Sequence, residues 1–398
     1  MSCIYISSGN IPSRWAHTFQ TMKMAESYAQ LIDGFRILIE TDQLGRLLKG
    51  IDLRTYYGLE RRLEIVPLRT RLIRFRPTHR RGKPSRSFLA AAIRYARNAR
   101  PKMIFTRSYH VAECIAEEGL PLIFETHGSP DHANMAKVRK IAKAPEVRGI
   151  VTTLEYLRVG YIKNGVSADK ILVRPNGVDL HRYANVEEDP RTLRSSLGLP
   201  LDGPIVIYTG HLYEHKGVRT LLEAARLLDE CHVVLVGGWK TDVAKWRREY
   251  RSLSNILFTG FVTNTKLLHY IAAADVCVLP QLAENEIALE TCPLKLFEYM
   301  AAARPIVVSD FGAIRQIVQH EENALLVRPG DVGSIVEAVK RLLADRALGQ
   351  RIAERARADV RSRTWDQRAH DILATFAPEL LRGSAGGHST PGGGAAQR

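Results

Sequence analysis

Two short stretches carry residue types suited to holding a phosphorylated ligand. The first is Thr209-Gly210-His211-Leu212-Tyr213-Glu214-His215-Lys216-Gly217. Gly210 lets the backbone approach a ligand closely. Lys216, with a helix N-terminus expected just after it, favours an anion. The same loop reads equally as an ordinary strand–helix connection with a surface lysine, and His211 as a satisfied loop histidine. The second stretch runs Glu290-Thr291-Cys292-Pro293-Leu294-Lys295-Leu296-Phe297-Glu298 and continues through Tyr299 to Pro305. Its two outer carboxylates bracket a loop and a helix read as beginning at Glu298 and ending before Pro305. Backbone N–H groups between them suit an anion or sugar hydroxyls. A carboxylate can accept both hydroxyls of a diol. Spacing alone does not separate this pattern from any acidic helix, and Glu284 and Glu286 read as solvated loop charge.

The elements that must position these stretches follow a strand–helix alternation. Cys3–Ser7, Arg36–Glu40, Glu64–Leu68, Met103–Thr106, Leu122–Glu125, Gly149–Thr152 and Ile171–Arg174 read as short strands. Ala16–Leu31 has apolar residues at helical spacing. The pattern restarts after Asp179 with Ile205–Tyr208, Val233–Val236, Ile256–Thr259, Val276–Leu279, Ile306–Ser309 and Ala324–Val327. Val218–Leu228 is a clear helix between two of them. Such alternation means parallel sheets with helices on both faces. The expected fold class is therefore α/β, with two doubly wound Rossmann-like domains facing across a cleft. Ligands of such sheets bind beyond the carboxyl ends of the strands, so the loops after the strands are the ones to read.

The chain has 398 residues, more than one core of roughly 250–300 residues accommodates. The expected division is 1–185, 186–364, a crossing-back segment 365–382 and a Gly/Ser/Ala-rich disordered tail 383–398. Val186–Pro190, acidic and with a proline, fits a linker. No apolar run reaches the roughly 18 residues of a membrane span. Met1–Asn10 has no basic start before its apolar stretch, so no secretory signal is expected. Cys3, Cys114, Cys231, Cys277 and Cys292 are scattered without a C-x-x-C pair, which argues against a disulfide frame or a zinc site. A reducing cytoplasm fits this usage.

The net charge of +15 is unevenly placed. Residues 1–185 hold 31 basic and 16 acidic side chains, while 186–398 hold 26 of each. From Ile65 to Ala112 there are thirteen Lys/Arg and no acid. Within that tract Arg69, Arg71, Arg74, Arg76, Arg80, Arg81, Lys83 and Arg86 interleave with Leu72, Ile73, Phe75, Phe88 and Leu89. A solvated loop, docking on an anionic membrane surface and nucleic-acid binding all remain open for it. No zinc finger, RNP-type strand or helix-turn-helix signal supports the last, and no nucleic-acid partner is expected.

Six ordered motifs together resemble the retaining glycosyltransferases of family 4, with the GT-B fold, over residues 1 to about 380. They are Ser8-Gly9-Asn10-Ile11-Pro12-Ser13 with Gln20 and Lys23-Met24; Ile123-Phe124-Glu125-Thr126-His127-Gly128; and Val173-Arg174-Pro175-Asn176-Gly177-Val178-Asp179. The loop at Gly210, the Glu290–Glu298 stretch and Thr364-Trp365-Asp366 with Arg368-Ala369 complete the set. The resemblance implies transfer of a sugar from a nucleotide-diphosphate sugar to a hydroxyl acceptor, with retention at the anomeric carbon. Glu298 would bond the nucleotide ribose, Glu290 the donor-sugar hydroxyls, and the backbone Thr291, Cys292, Pro293 and Leu294 the sugar and diphosphate, with Lys295 in the same donor-binding set. Lys216 would neutralise the leaving diphosphate, helped by a protonated His211. Gly9 would line the phosphate and acceptor side, Asn10 the acceptor side, and His127 would face donor sugar and acceptor. The family usually has Arg where His211 stands, and often Gly where Ala303 stands; a histidine offers no guanidinium fork. The chain lacks an Asp-x-Asp motif, so no metal is expected and no cofactor beyond the donor. A phosphorylase or epimerase on the same fold, or a non-catalytic basic protein at a membrane surface, are the other readings. The acceptor could be a glycan, a lipid-linked molecule or a small molecule, and the location cytoplasmic, peripheral on the inner face of a membrane.

Overall fold

A computed structural model describes residues 2–42, 50–70, 84–130, 134–184, 186, 188–283 and 291–381. The first sheet comprises β1 (Ile4–Asn10), β2 (Arg36–Asp42), β3 (Glu64–Thr70), β4 (Ile104–Thr106), β5 (Leu122–Glu125), β6 (Val147–Thr152) and β7 (Ile171–Val173). Its order is β3-β2-β1-β4-β5-β6-β7, parallel throughout. The second comprises β8 (Ile205–Thr209), β9 (His232–Val236), β10 (Ile256–Gly260), β11 (Val276–Leu279), β12 (Ile306–Ser309) and β13 (Leu325–Val327). Its order is β10-β9-β8-β11-β12-β13, again parallel. Every residue of β8, β11 and β12 is buried. That is the signature of parallel strands covered by helices on both faces.

Strand order reverses between β1 and β4 in the first sheet and between β8 and β11 in the second. The carboxyl ends at these reversals are where a doubly wound sheet opens a crevice. The residues just past them are Arg107 after β4, Gly210 after β8 and Pro280–Gln281 after β11.

The first helix, Ala16–Leu31, buries polar Thr18, Gln20, Lys23 and Glu26 beside its apolar residues. It can do so because each finds a partner. Lys23 Nζ bonds Asp179 at 2.8 Å, Glu26 at 3.1 Å and the carbonyl of Gly58 at 2.5 Å. The last helix, Trp365–Phe376, starts under a Thr364 cap whose hydroxyl accepts from the Gln367 N–H at 3.1 Å. It then packs on the first domain. Asp366 accepts from Ser27 at 2.7 Å and from Arg61 at 2.8 Å. Asp371 accepts from Arg174 at 2.9 Å.

The chain therefore crosses between domains twice, and the two crossings run side by side. Val178 forms a parallel bridge with Thr364, its N–H donating to the Arg363 carbonyl at 3.0 Å. Gly177 makes this possible, since a Cβ there would meet the Trp365 nitrogen at 2.6 Å and the Thr364 carbonyl carbon at 2.8 Å.

Some local expectations shift. The helix read from Glu298 begins at Leu294, directly after Pro293, which sits extended at the N-cap. The helix from Val218 closes at Ala225, although Leu228 remains in the core. Pro190 opens a helix under an Asp189 cap instead of ending a linker. Residues 71–83, Glu290 and the tail 383–398 lie outside the described residues.

Gly177→Ala should lower thermal stability by about 1–3 kcal/mol, the usual cost of forcing an atom into a packed contact. A calorimetric melt indistinguishable from wild type would contradict the paired crossing.

Candidate functional site

A cleft of about 520 Å³ lies between the two domains, lined by both. Of the residues singled out from sequence, His127, Gly210, His211, Lys216, Thr291, Cys292, Pro293, Leu294, Lys295 and Glu298 line it. Gly9 and Asn10 stand at the carboxyl end of β1, with Asn10 opposite Glu40 of β2. Glu290 falls outside the described residues.

The second domain supplies the cationic wall. Lys216 closes a 3-10 turn, Glu214–Lys216, and its Nζ approaches Gln281 Oε1 at 3.4 Å. Lys295 projects from the first turn of the helix Leu294–Ala301, with Nζ 3.8 Å from the centre of the Tyr208 ring. Gly210 admits it: its φ is +121°, and a Cβ there would come within 2.9 Å of Lys295 Nζ. Tyr299 pins the same loop, its hydroxyl accepting from the Thr209 N–H at 2.9 Å. Burial lowers the pKa of Lys216. Burial, then the charge of Lys216, holds Lys295 well below the usual lysine range. Glu298 lies one turn beyond Lys295. Burial pushes it up to about 7, against the opposing pull of Arg182 and Lys295.

His211 is disfavoured from adding to this charge. Its ring stacks between Tyr213 (5.0 Å, 14°) and Trp239 (5.6 Å, 22°). Burial and the charge of Lys295 both lower its pKa. Both influences work against the expected protonated histidine, and the ring presents an aromatic face to the cleft. Trp15 of the first domain reaches across to it at 5.3 Å and to Trp239 at 5.9 Å. Arg14 lies over Phe261 at 4.1 Å and Trp239 at 5.5 Å. These contacts span the mouth of the cleft.

The first domain supplies a polar network. Arg368 of the last helix bonds Glu125 at 2.8 Å. Glu125 also accepts from Gln20 at 2.5 Å and from His127 Nε2 at 2.6 Å. Arg107 donates to His127 Nδ1 at 2.9 Å and also to Gln20 Oε1. A guanidinium only donates, so Nδ1 is the acceptor and the ring proton sits on Nε2. Burial and the charge of Arg107 push His127 down to about 4. His127 thus faces the cleft as a neutral ring with both nitrogens engaged inside the protein. Asn176 lines the cleft nearby; its Nδ2 donates to the Cys292 carbonyl at 2.7 Å, and its buried Oδ1 has no partner among the described residues.

Arg14, Trp15, Arg107, Trp239 and Gln281 were not read from sequence as site residues. Arg107 had a usable signal: it directly follows the strand at Ile104–Thr106, and it was counted only within the basic tract.

Two family models match, "Glycosyltransferase Family 4" over residues 52–182 and "Glycosyl transferases group 1" over 203–345. A D-inositol 3-phosphate glycosyltransferase of Xylanimonas cellulosilytica is 30% identical over 234 residues, 55% of this chain and 54% of that protein. The chain spans about half the length of the curated relatives it matches. Among solved structures, Anabaena HepE in complex with UDP-glucose superposes with a TM-score of 0.73 at 18% identity, covering 95% of this chain and all of that one. Sucrose-phosphate synthase of Thermosynechococcus elongatus gives 0.74 at 19% identity, covering 95% and 99%. These likenesses establish the GT-B fold.

Glu298 binds its proton more tightly folded than unfolded. The stability tied to that proton is complete below about pH 4.5 and is lost as pH rises through about 7. Glu298→Gln removes the loss. Its melting temperature should exceed wild type at about pH 8 and approach it at about pH 4.5. A difference independent of pH would mean that the carboxyl is not held in its raised state.

Proposed function

The chain belongs to the glycosyltransferases of group 1 and family 4, and from that premise we propose that it is a retaining, metal-independent glycosyltransferase using a nucleotide-diphosphate sugar. The observation that carries this reading is the pairing of Lys216 and Lys295 with Glu298 on one wall of the cleft. Two lysines with depressed pKa values and no carboxylate within salt-bridge reach among the described residues suit a diphosphate, whose charge would restore their protonation. Glu298, ionised on ligand binding, would accept the two hydroxyls of a ribose. Asn176 Oδ1, Thr291 and the turn from Cys292 to Leu294 stand where a donor sugar would join that diphosphate. Glu290 keeps its implied part as partner of the sugar hydroxyls. The nucleotide-sugar complex of HepE supports the same class of donor.

In this reaction the bond between the anomeric carbon and the phosphate oxygen breaks, and the electron pair leaves with the diphosphate. Lys216 and Lys295 stabilise that growing charge from preorganised positions. The acceptor hydroxyl attacks on the face just vacated and passes its proton to the departing phosphate oxygen. No side chain is required as nucleophile. His127, neutral and with both nitrogens engaged, does not act as base; it orients Arg107 beside the acceptor. The lysines already supply the positive charge a divalent ion would otherwise bring.

The acceptor domain would work at an anionic membrane surface, through the tract from Arg69 to Arg86. Its eight cations with no acid between them support this, each contributing about 1 kcal/mol near such a surface. No helix among the described residues is long and apolar enough to cross a membrane.

Lys216→Ala should lower kcat by about 100-fold or more, read as nucleoside diphosphate released per unit time; wild-type turnover would overturn the assignment. Activity should persist in excess chelator, and the product anomer, read by NMR, should match that of the donor. Inversion, or loss of turnover with chelator, would refute the corresponding part. Flotation with phosphatidylserine vesicles should occur at low salt and fade at high salt; no flotation at low salt would remove the membrane from the proposal.

A further inference from the structure

The first domain's wall carries charge that the donor does not require. Arg14, His17, Arg107 and His127 line it, and no carboxylate among the described residues does. The two histidines are neutral. Burial, then the charge of Arg107, pushes each down to about 4. Arg14 is occupied by the faces of Phe261 and Trp239. Arg107 is different. It is half-buried, and its two hydrogen-bond partners, Gln20 and His127, are both uncharged. The acid of the network, Glu125, is engaged by Arg368 and His127, and no carboxylate lies within salt-bridge distance of Arg107 among the described residues. A guanidinium has five donors, and these contacts use two.

Glu125 attracts this guanidinium only from beyond Gln20 and His127, so its unused N–H groups have no direct carboxylate contact among the described residues. Gln20 and His127 fix its plane, so its remaining N–H groups are presented in one orientation. A planar fork of this kind matches the two oxygens of a carboxylate or phosphate. The donor diphosphate already has Lys216 and Lys295 at the other sheet's reversal point. Arg107 stands at the reversal point of the first sheet, on the acceptor side.

We propose that Arg107 seats an oxyanion carried by the acceptor, so that the acceptor is a phosphorylated or carboxylated sugar or polyol rather than a neutral one. This rests on the glycosyltransferase reading and specifies its second substrate. It assigns His127 and Gln20 as positioning residues for Arg107.

The test begins with a thermal-shift panel of nucleoside diphosphates on the full chain. The protein, saturated with the stabilising nucleotide, is then titrated calorimetrically with inorganic phosphate, glucose 6-phosphate, glucuronate and glucose. The expected result is that at least one oxyanion binds tenfold or more tightly than glucose, phosphate and glucuronate separating the two chemistries. Arg107→Gln should weaken that binding at least tenfold, with Arg107→Lys recovering part of it. Glucose binding as well as its charged counterparts, or oxyanion binding unaltered in Arg107→Gln, would overturn the inference alone. If Arg107→Gln fails to fold, the wild-type comparison and Arg107→Lys still decide. Stabilisation by no nucleoside diphosphate would instead overturn the glycosyltransferase reading, and this inference with it.

Discussion

The ion pair between Arg368 and Glu125 holds the first domain's wall of the cleft together. Arg368 comes from the last helix, whose chain has just left the second domain, and Glu125 ends a central strand of the first. Both are almost fully buried. Breaking such a pair from one side typically costs about 3–5 kcal/mol, because the surviving charge has nowhere to go. Here more than stability hangs on it. With Glu125 neutralised by Arg368, its oxygens are free to accept from Gln20 and from His127. Those two in turn fix Arg107 at the cleft wall. One long-range contact thus sets the hydrogen-bond partner of a histidine and the aim of an arginine.

The opposite wall is organised by unrelieved electrostatics. Lys216 and Lys295 repel one another in a half-buried space, and Glu298 is held toward its neutral form beside them. Each departs from its ordinary behaviour in the direction that burial imposes. A ligand with two negative charges and a diol reverses all three departures together. The lowered pKa of His211 belongs to the same balance. An arginine there would add a third permanent charge beside Lys295, whereas a stacked histidine adds surface contact and no repulsion.

Much of the architecture was legible because parallel strands buried on both faces leave runs of β-branched and aliphatic residues, as at Ile205–Tyr208 and Val276–Leu279. Ala16–Leu31 was read at its observed ends, and the crossing-back segment at its observed start, Trp365. The second domain's wall of the cleft was legible too, since loop and helix start are contiguous in sequence. The start of the helix at Leu294 was missed by reading Glu298 as a terminal residue when Pro293 already marks the entry. What stayed hidden depends on contacts between distant segments. The engagement of both nitrogens of His127 requires Arg107 and Glu125, which come from different strands. The stack of Trp15, His211 and Trp239 requires both domains. Arg107 was visible as a charge but not as a site residue, because its neighbours in the sequence describe a basic surface while its neighbours in space describe a cleft.

The paired crossings at Gly177–Val178 and Thr364–Trp365 have a mechanical consequence. A single flexible connection would leave the second domain free to tilt and twist about any axis. Two strands of chain, bonded to each other along the crossing, act as a leaf hinge. They would restrict twisting more than bending about the line perpendicular to the pair. Opening and closing of the cleft then become mainly a bending motion. The aromatic contacts of Trp15 with His211 and Trp239 join the two domains at the cleft, away in sequence from that crossing. Making or breaking those contacts then bears on how wide the molecule stands open.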